Sequence, residues 1–344
     1  MGFFPLDEEL VIWKMWSEGV VKLAVWEAGR SSYREAEETL RRMAGIEMCA
    51  SSIWACTQEW TEGLCEWQAA QQAEANAVPS RDHPQPGEAK HSQRMGVSVD
   101  GWLVNIVDEG WKEVKTGAVF EVVTGEQYDP ITGEHLELAQ AQACTYATHL
   151  GGPEEFGEVL WTEASQRRVP AAYDKVFIGD AASWIWGVCE DYFPESEQVV
   201  DWYHAKEHLH AAAHVLHGEG TDDARRWAER RKTALYQGHA ASIAGQLDTL
   251  AAQHSGDRAK KLHTEATYFR NQQRRMRYLE YREDGWPIGS GTIESGCKQF
   301  QMRFKGPGMR WSRPGAQRML ALRASVMSDY FDTHWDLVQN WPLN

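Results

Sequence analysis

None of the six cysteines, at 49, 56, 65, 144, 189 and 297, forms a CxxC pair, so neither a zinc ribbon nor a disulfide framework is indicated and reduced core residues are expected. No stretch reaches the roughly 18 uninterrupted apolar residues of a membrane-spanning helix. The opening MGFFPLDEELVIWK lacks the basic segment and small-residue cleavage site of a signal peptide. The expectation is a soluble cytoplasmic protein with no membrane partner. Positive charge is also scarce: 35 Lys and Arg face 50 Asp and Glu, for a net charge of −15. Taken over the whole chain, that argues against a nucleic-acid partner, because Lys and Arg drive phosphate binding. What the 344 residues do have is 42% hydrophobic content, which excludes disorder as the dominant state and allows two or three domains.

The shortage of positive charge is uneven. Residues 1–200 hold 14 basic against 34 acidic residues, residues 201–344 hold 21 against 16, and residues 258–323 alone carry 15 against 5. A basic region on an acidic chain reads as an electrostatic footprint for a polyanion, or else as a solvated helix face.

Residues 8–67 show apolar spacing of helical period (Leu10, Trp13, Val20, Val21, Val25), and Ser32 with Glu35 fits a capping box. Gly45 then breaks the pattern before CASSIWACTQEWTEGL, with Ser51 or Ser52 near the next cap. Helix, short turn, helix is a helix-turn-helix candidate, although any helical hairpin gives the same pattern. Residues 43–80 contain no Lys or Arg and five Glu, a poor composition for contacting phosphates. The organisation expected is a helical domain over 1–75, a linker over 76–94, a first core segment over 95–204, an all-helical insertion over 205–285, and a closing core segment with a basic tail over 286–344. Within the core, MGVSVDGWLVNI and WKEVKTGAVFEVV read as a hairpin turning at Asp108 to Gly110. QACTYATHL, DKVFIGD and EQVVDWYH supply further strands, with helices between the later ones. Three antiparallel strands followed by alternating helix and strand predict an α/β fold with a mixed sheet.

Asp100 follows Val97-Ser98-Val99, and Asp180 follows Val176-Phe177-Ile178-Gly179. Carboxylates at strand ends beside small residues can meet from adjacent strands and hold a hard cation, though a strand-end Asp is also a common turn or capping residue. Glu294 lies in the first turn of a helix behind the Gly-rich PIGSG segment, where a Glu is also simply well placed against the helix dipole. Lys298, Arg303, Lys305, Arg310 and Arg313 follow it. Carboxylates holding two Mg²⁺ (or Mn²⁺) ions beside a basic strip are what cleavage of a nucleic-acid backbone requires. Arg274, Arg275 and Arg277 extend the candidate DNA-contacting set. Tyr268, Phe269, Tyr278, Tyr281, Trp286 and Trp311 interleave with it, either to stack on unpaired bases or to pack in a core. His210 and His214 have i, i+4 spacing, but no third zinc ligand is evident.

The succession VSVDG, VFIGDAASWIW, VVDWYHAKEHL, PIGSGTIESGCKQ and FKGPGMRWS resembles transposases of bacterial insertion sequences of the ISKra type, relatives of Mutator-like elements. The resemblance spans roughly residues 95–323. It implies an RNase H-like core of strand order 3-2-1-4-5 with Asp100, Asp180 and Glu294 as the metal-binding triad. It further implies that Asp201 and His204 form a DxxH signature beside the site, and that a helical insertion precedes the last acid. The activity implied is a DDE transposase that cuts DNA at the element's terminal inverted repeats and joins the freed ends to target DNA, as an oligomer (a dimer) on DNA in the nucleoid. The alternative is a catalytically silent DNA-binding or regulatory derivative.

Overall fold

The computed structural model describes residues 12–13, 15–77, 93–129, 131 and 133–340, so the expected linker falls almost wholly outside the described residues, as does Leu10. Ile12–Trp13 does not begin a helix. It pairs antiparallel with Trp16–Ser17, and helix α1 runs over Glu18–Arg30. Ser32 opens α2, Tyr33–Thr39, through the capping box: its hydroxyl accepts from the Glu35 N–H at 3.3 Å and its own N–H donates to the Glu35 carboxylate at 2.9 Å. A π turn continues to Ala44, and Gly45 closes it in the left-handed conformation at φ 66°. Helix α3 spans Ala50–Ala77 and starts slightly before the expected serines, with the Cys49 carbonyl accepting the Ile53 N–H at 3.0 Å.

Five strands follow in one sheet: β1 Arg94–Ile106, β2 Gly110–Asp129, β3 Glu134–His149, β4 Asp174–Gly179 and β5 Glu197–Val200. Their spatial order is β3-β2-β1-β4-β5. The first three form an antiparallel meander, whose first turn is made by Asp108 and Gly110 at positive φ. Strands β4 and β5 run parallel to β1 and are reached through α4, Pro153–Gln166, and α5, Ser183–Tyr192, because parallel neighbours need a crossover. This is an RNase H-like α/β sheet. Past a register shift between Val119 and Glu121, β2 and β3 continue as a paired arm out to Asp129 and Glu134, which lengthens β3 beyond the QACTYATHL segment expected.

The chain then turns helical: α6 Trp202–His217, α7 Asp222–Tyr236, α8 Ala240–Ala251, α9 Gly256–Gln272 and α10 Tyr278–Glu283. It closes with α11 Gly291–Phe304, α12 Arg313–Met327 and α13 Phe331–Gln339. These last helices join the N-terminal ones. Residues Ile53, Cys56, Trp60, Leu64 and Trp67 line the buried face of α3 at helical spacing, and α3 packs against α1, α4, α12 and α13. Trp60 stacks on Trp335 with ring centroids 5.4 Å apart and meets Phe331 at 5.2 Å. The helix-turn-helix candidate is therefore built into the protein core. The aromatic residues of the basic region are core residues too: Phe269, Tyr278, Tyr281, Trp286 and Trp311 are buried, so base stacking by these five is corrected to packing.

Candidate active site at the end of the parallel strands

The β1–β4 ladder ends at Val99 opposite Gly179, and the β4–β5 ladder ends at Gly179 opposite Val200. Asp100, Asp180 and Asp201 each stand one residue further on, side by side: Asp180 and Asp201 lie just past the carboxyl ends of β4 and β5, whereas Asp100, expected at a strand end, lies midway along β1, which stays paired with β2 to Ile106. In an open α/β sheet, ligands bind at this end. The sequence places an Asp after each apolar run; the register aligns them.

The three aspartates are held differently. Asp201 is 1% exposed and serves as N-cap of α6, accepting the His204 N–H at 2.7 Å with one carboxylate oxygen. Its other oxygen accepts the Ser290 N–H, tying the PIGSG segment to the end of β5. Trp202 extends this join by donating its N–H to the Ile288 carbonyl at 2.9 Å. Both oxygens of Asp201 are thus engaged in structure. Asp180 accepts the Ala182 N–H at 2.6 Å, which shapes the turn into α5. Asp100 accepts its neighbour's Gly101 N–H at 2.7 Å and shares a hydrogen bond with the Cys297 side chain. Burial pushes the Asp100 carboxyl above its ordinary range, and the charge of Asp180 adds to the rise.

Strand β5 stops at Val200, so His204 lies on the first turn of α6 rather than on a strand. It is about half exposed, sits near the Glu207 carboxylate at 3.5 Å, and its charge favours ionisation of Asp100. One turn along, the Glu265 carboxylate accepts a hydrogen bond from His208 Nδ1 at 2.6 Å, and the His208 ring stacks on Tyr268 at 3.5 Å. The phenol of Tyr268 is buried without a partner and is pushed up by burial and by the charge of Asp180. The insertion helix α9 therefore forms one wall of the acid cluster.

Helix α11 brings Glu294. Gly296 lets this helix lie against β3, because a Cβ there would sit 2.5 Å from the Tyr146 ring. Cys297, one turn after Glu294, faces Asp100 and Thr116, and burial and the Asp100 charge push its thiol up. Glu294 itself is half exposed and paired with Lys298 at 2.6 Å. The carboxylates of Asp100 and Asp180 are hard oxygen donors, and their mutual repulsion fits a divalent cation. Among the described residues, however, no three His, Cys, Asp or Glu side chains are close enough together to hold a metal ion.

A family model covers residues 3–335 of the chain; its description is "Uncharacterised protein family (UPF0236)". The chain belongs to UPF0236. No curated protein matches it. The UPF0236 match takes in the N-terminal helices as well as the sheet, in keeping with their shared core.

The basic side chains of this UPF0236 protein divide sharply. Arg303 is 3% exposed and donates to the Ala28 carbonyl at 2.8 Å, so it faces the interior. Arg275 bonds Gln198 and Gln272 and lies over the Trp186 ring, while Arg277 pairs with Glu197 at 2.8 Å and Glu280 at 2.7 Å. Arg313 grips Glu109, and Lys305 donates to Gln301 at 2.7 Å. Arg274 and Arg310 are exposed and have no side-chain partner among the described residues. Sequence reasoning passed over Cys297 and Ser98. Their signals were spacing alone: i+3 from Glu294 on a helix, and i−2 from Asp100 on a strand. No helix among the described residues is long and apolar enough to cross a membrane.

Proposed function

We propose that this UPF0236 protein is a DDE transposase of the ISKra-like kind, acting on DNA ends and target DNA as an oligomer. The observation that carries the reading is the register of β1 and β4, which puts Asp100 and Asp180 next to each other, with the Glu294 helix packed on β1 and its antiparallel neighbours β2 and β3. Asp100 and Asp180 would hold Mg²⁺ or Mn²⁺, with Glu294 completing the set. When bound, such ions supply Lewis-acid stabilisation of the attacking and leaving oxygens of a phosphodiester. The protein's own contribution is positional. Asp201 pins the PIGSG segment, which leads into the Glu294 helix, to the start of α6, which carries His204. His204, the only one of these not already committed to the backbone or to a lysine, is placed to orient a scissile phosphate, and Arg274, Arg310 and Lys305 offer exposed positive charge to the backbone.

The test begins with the DNA flanking the gene. Inverted repeats found there define a duplex substrate, and the full-length protein should nick it at the repeat boundary in Mg²⁺. Loss of cutting in D100N and D180N, with end binding retained, supports the reading; near wild-type cutting by either variant removes that residue from the site. One observation favours the alternative of a silent DNA-binding derivative: Glu294 is occupied by Lys298 rather than gathered with the aspartates. Binding of the ends with no cutting by the wild-type protein would establish that alternative.

A further inference from the structure

Beside the acid cluster, a cavity of about 300 Å³ opens between β1, the β2–β3 arm and the PIGSG segment. Its position follows from strand alternation. Ser98 and Asp100 lie on one face of β1, two residues apart, or about 6.6 Å along the strand. Ser98 lines the cavity, is 1% exposed, and its hydroxyl has no hydrogen-bond partner. Arg282 lines the opposite side, and its Nε is likewise buried without a partner, while its guanidinium stands 3.7 Å from the buried Asp129 carboxylate. Buried polar atoms left unpaired are costly and uncommon, and two around one cavity call for a ligand.

The walls select the class of ligand. Phe120 lies across Gly96, where a Cβ would come within 2.1 Å of its ring, so the floor is an aromatic face that only glycine permits. Tyr203 stands at the exposed rim, 45% accessible, and Ile288 adds apolar surface. Gln127 and Gln140 contribute amide donors and acceptors. An inorganic anion would need more positive charge than one arginine already shared with Asp129, and it gains nothing from an aromatic floor. A flat heterocycle with hydrogen-bonding edges satisfies both the unpaired donors and the ring faces.

Resting on the nuclease reading of the acid cluster, we propose that this cavity receives an unpaired nucleobase of the DNA strand being cut. The spacing fits: a base lodged against Ser98 leaves its own sugar-phosphate within reach of Asp100, one strand step pair away. The base pocket would hold the strand's register at the scissile bond and would admit DNA only where a base can leave the stack.

The full-length protein is tested with each of the four deoxynucleoside 5′-monophosphates and with inorganic phosphate, using ligand-observed saturation-transfer NMR. A short single strand carrying 2-aminopurine then reports stacking by fluorescence quenching. Expected are base-proton saturation by at least one nucleotide, no competition by phosphate, and about threefold to tenfold weaker binding in S98A and in R282Q, the loss of one hydrogen bond each. S98A removes an atom with no partner in the protein, so it keeps the test decisive if R282Q does not fold. Competition by phosphate equal to that by nucleotide, absence of base saturation, or unchanged binding in S98A each overturns the pocket. The two proposals fail separately. If D100N loses cutting while S98A binds nucleotide and cuts at the same position as wild type, the base pocket falls and the nuclease reading stands. If nucleotide binding is lost in S98A but D100N cuts like wild type, the acid site falls and the pocket stands.

Discussion

The helical layer that joins the two ends of the chain and the acid end of the sheet are built on opposite terms. In the layer, α1, α3, α12 and α13 bring large side chains together: Trp60 on Trp335 and Phe331, and Trp67 on His334 at 4.9 Å. Even its charged Arg303 is spent on a backbone carbonyl and two aromatic rings. At the acid end, Asp100 is part-buried beside the charge of Asp180, Ser98 and Arg282 have unpaired atoms, and the Tyr268 phenol has no partner. Both regions leave some buried polar atoms unpaired, Trp60 Nε1 and Arg323 Nε in the layer among them, but in the layer these sit within large apolar packing, whereas at the acid end they sit beside clustered carboxylates and a cavity. Stability and function are expected to separate along that line.

The largest effect expected lies at the acid end. D100N or D180N should lower Mg²⁺-dependent end cleavage by several orders of magnitude, measured on the inverted-repeat duplex, with end binding retained. The same D100N change should raise thermal stability without metal by about 0.5–2 kcal/mol, because it removes a charge that burial disfavours. The sign is pH-dependent. Asp100 is held above its ordinary range, so the wild type recovers stability as pH falls through the raised value, and the advantage of D100N shrinks there. A D100N protein that is both active and no more stable would erase the contrast between the regions.

In the helical layer the reverse is expected. W335A should cost about 3–5 kcal/mol, as for large-to-small changes of buried aromatics, read by urea unfolding, while the folded fraction keeps its cleavage rate. Acid should act here as well. Burial pushes the His334 imidazole down to about 4, so its neutral form supports the fold, and stability is fully present above pH 6.5 and falls between about 6.5 and 4. The loss amounts to about 3 kcal/mol over that window. H334Q, still able to bond Ser325, should flatten the pH dependence of unfolding.

Smaller effects sharpen the boundary. H204A should depress cleavage while changing stability by less than about 1 kcal/mol, as at other partly exposed positions; a strongly destabilised H204A whose folded fraction cuts normally would move His204 into the structural class. Among the arginines, R274Q should lower the salt dependence of DNA binding by a slope of about 0.9 per lost phosphate contact. R277Q should act on stability instead, through its pairs with Glu197 and Glu280.

Much of the sheet was legible from local pattern. Alternation marked β1 and the start of β2, the VFIG and QVV runs marked β4 and β5, and Ser32 with Glu35 marked a cap that the structure contains. The outer part of the β2–β3 arm was not legible, because apart from Asp129, Leu138 and Ala139 its residues are only half-buried or exposed and leave no apolar run. The site was legible as a set of acids but not as a set of roles. Asp201 reads like a reactive DxxH aspartate, yet both its oxygens are held by backbone N–H groups from segments 3 and 89 residues away. Arg275, Arg277 and Arg303 read as a basic strip, although Arg303 is buried, Arg275 is largely covered, and Arg277, still part-exposed, is held in ion pairs with Glu197 and Glu280.

By itself, the sequence determined the strand and helix identities around Asp100, Asp180 and Glu294, because hydrophobic period, glycine turns and caps act within a few residues of each other. It also determined that positive charge gathers late in the chain. Tertiary structure alone decided that the N-terminal helices share a core with the C-terminal ones, since that depends on Trp335 lying across from Trp60. It alone decided which cations face outward and that Ser98 and Arg282 share a cavity. These outcomes depend on residues brought together from distant parts of the chain, and the free energy of a buried group depends on its neighbours in space.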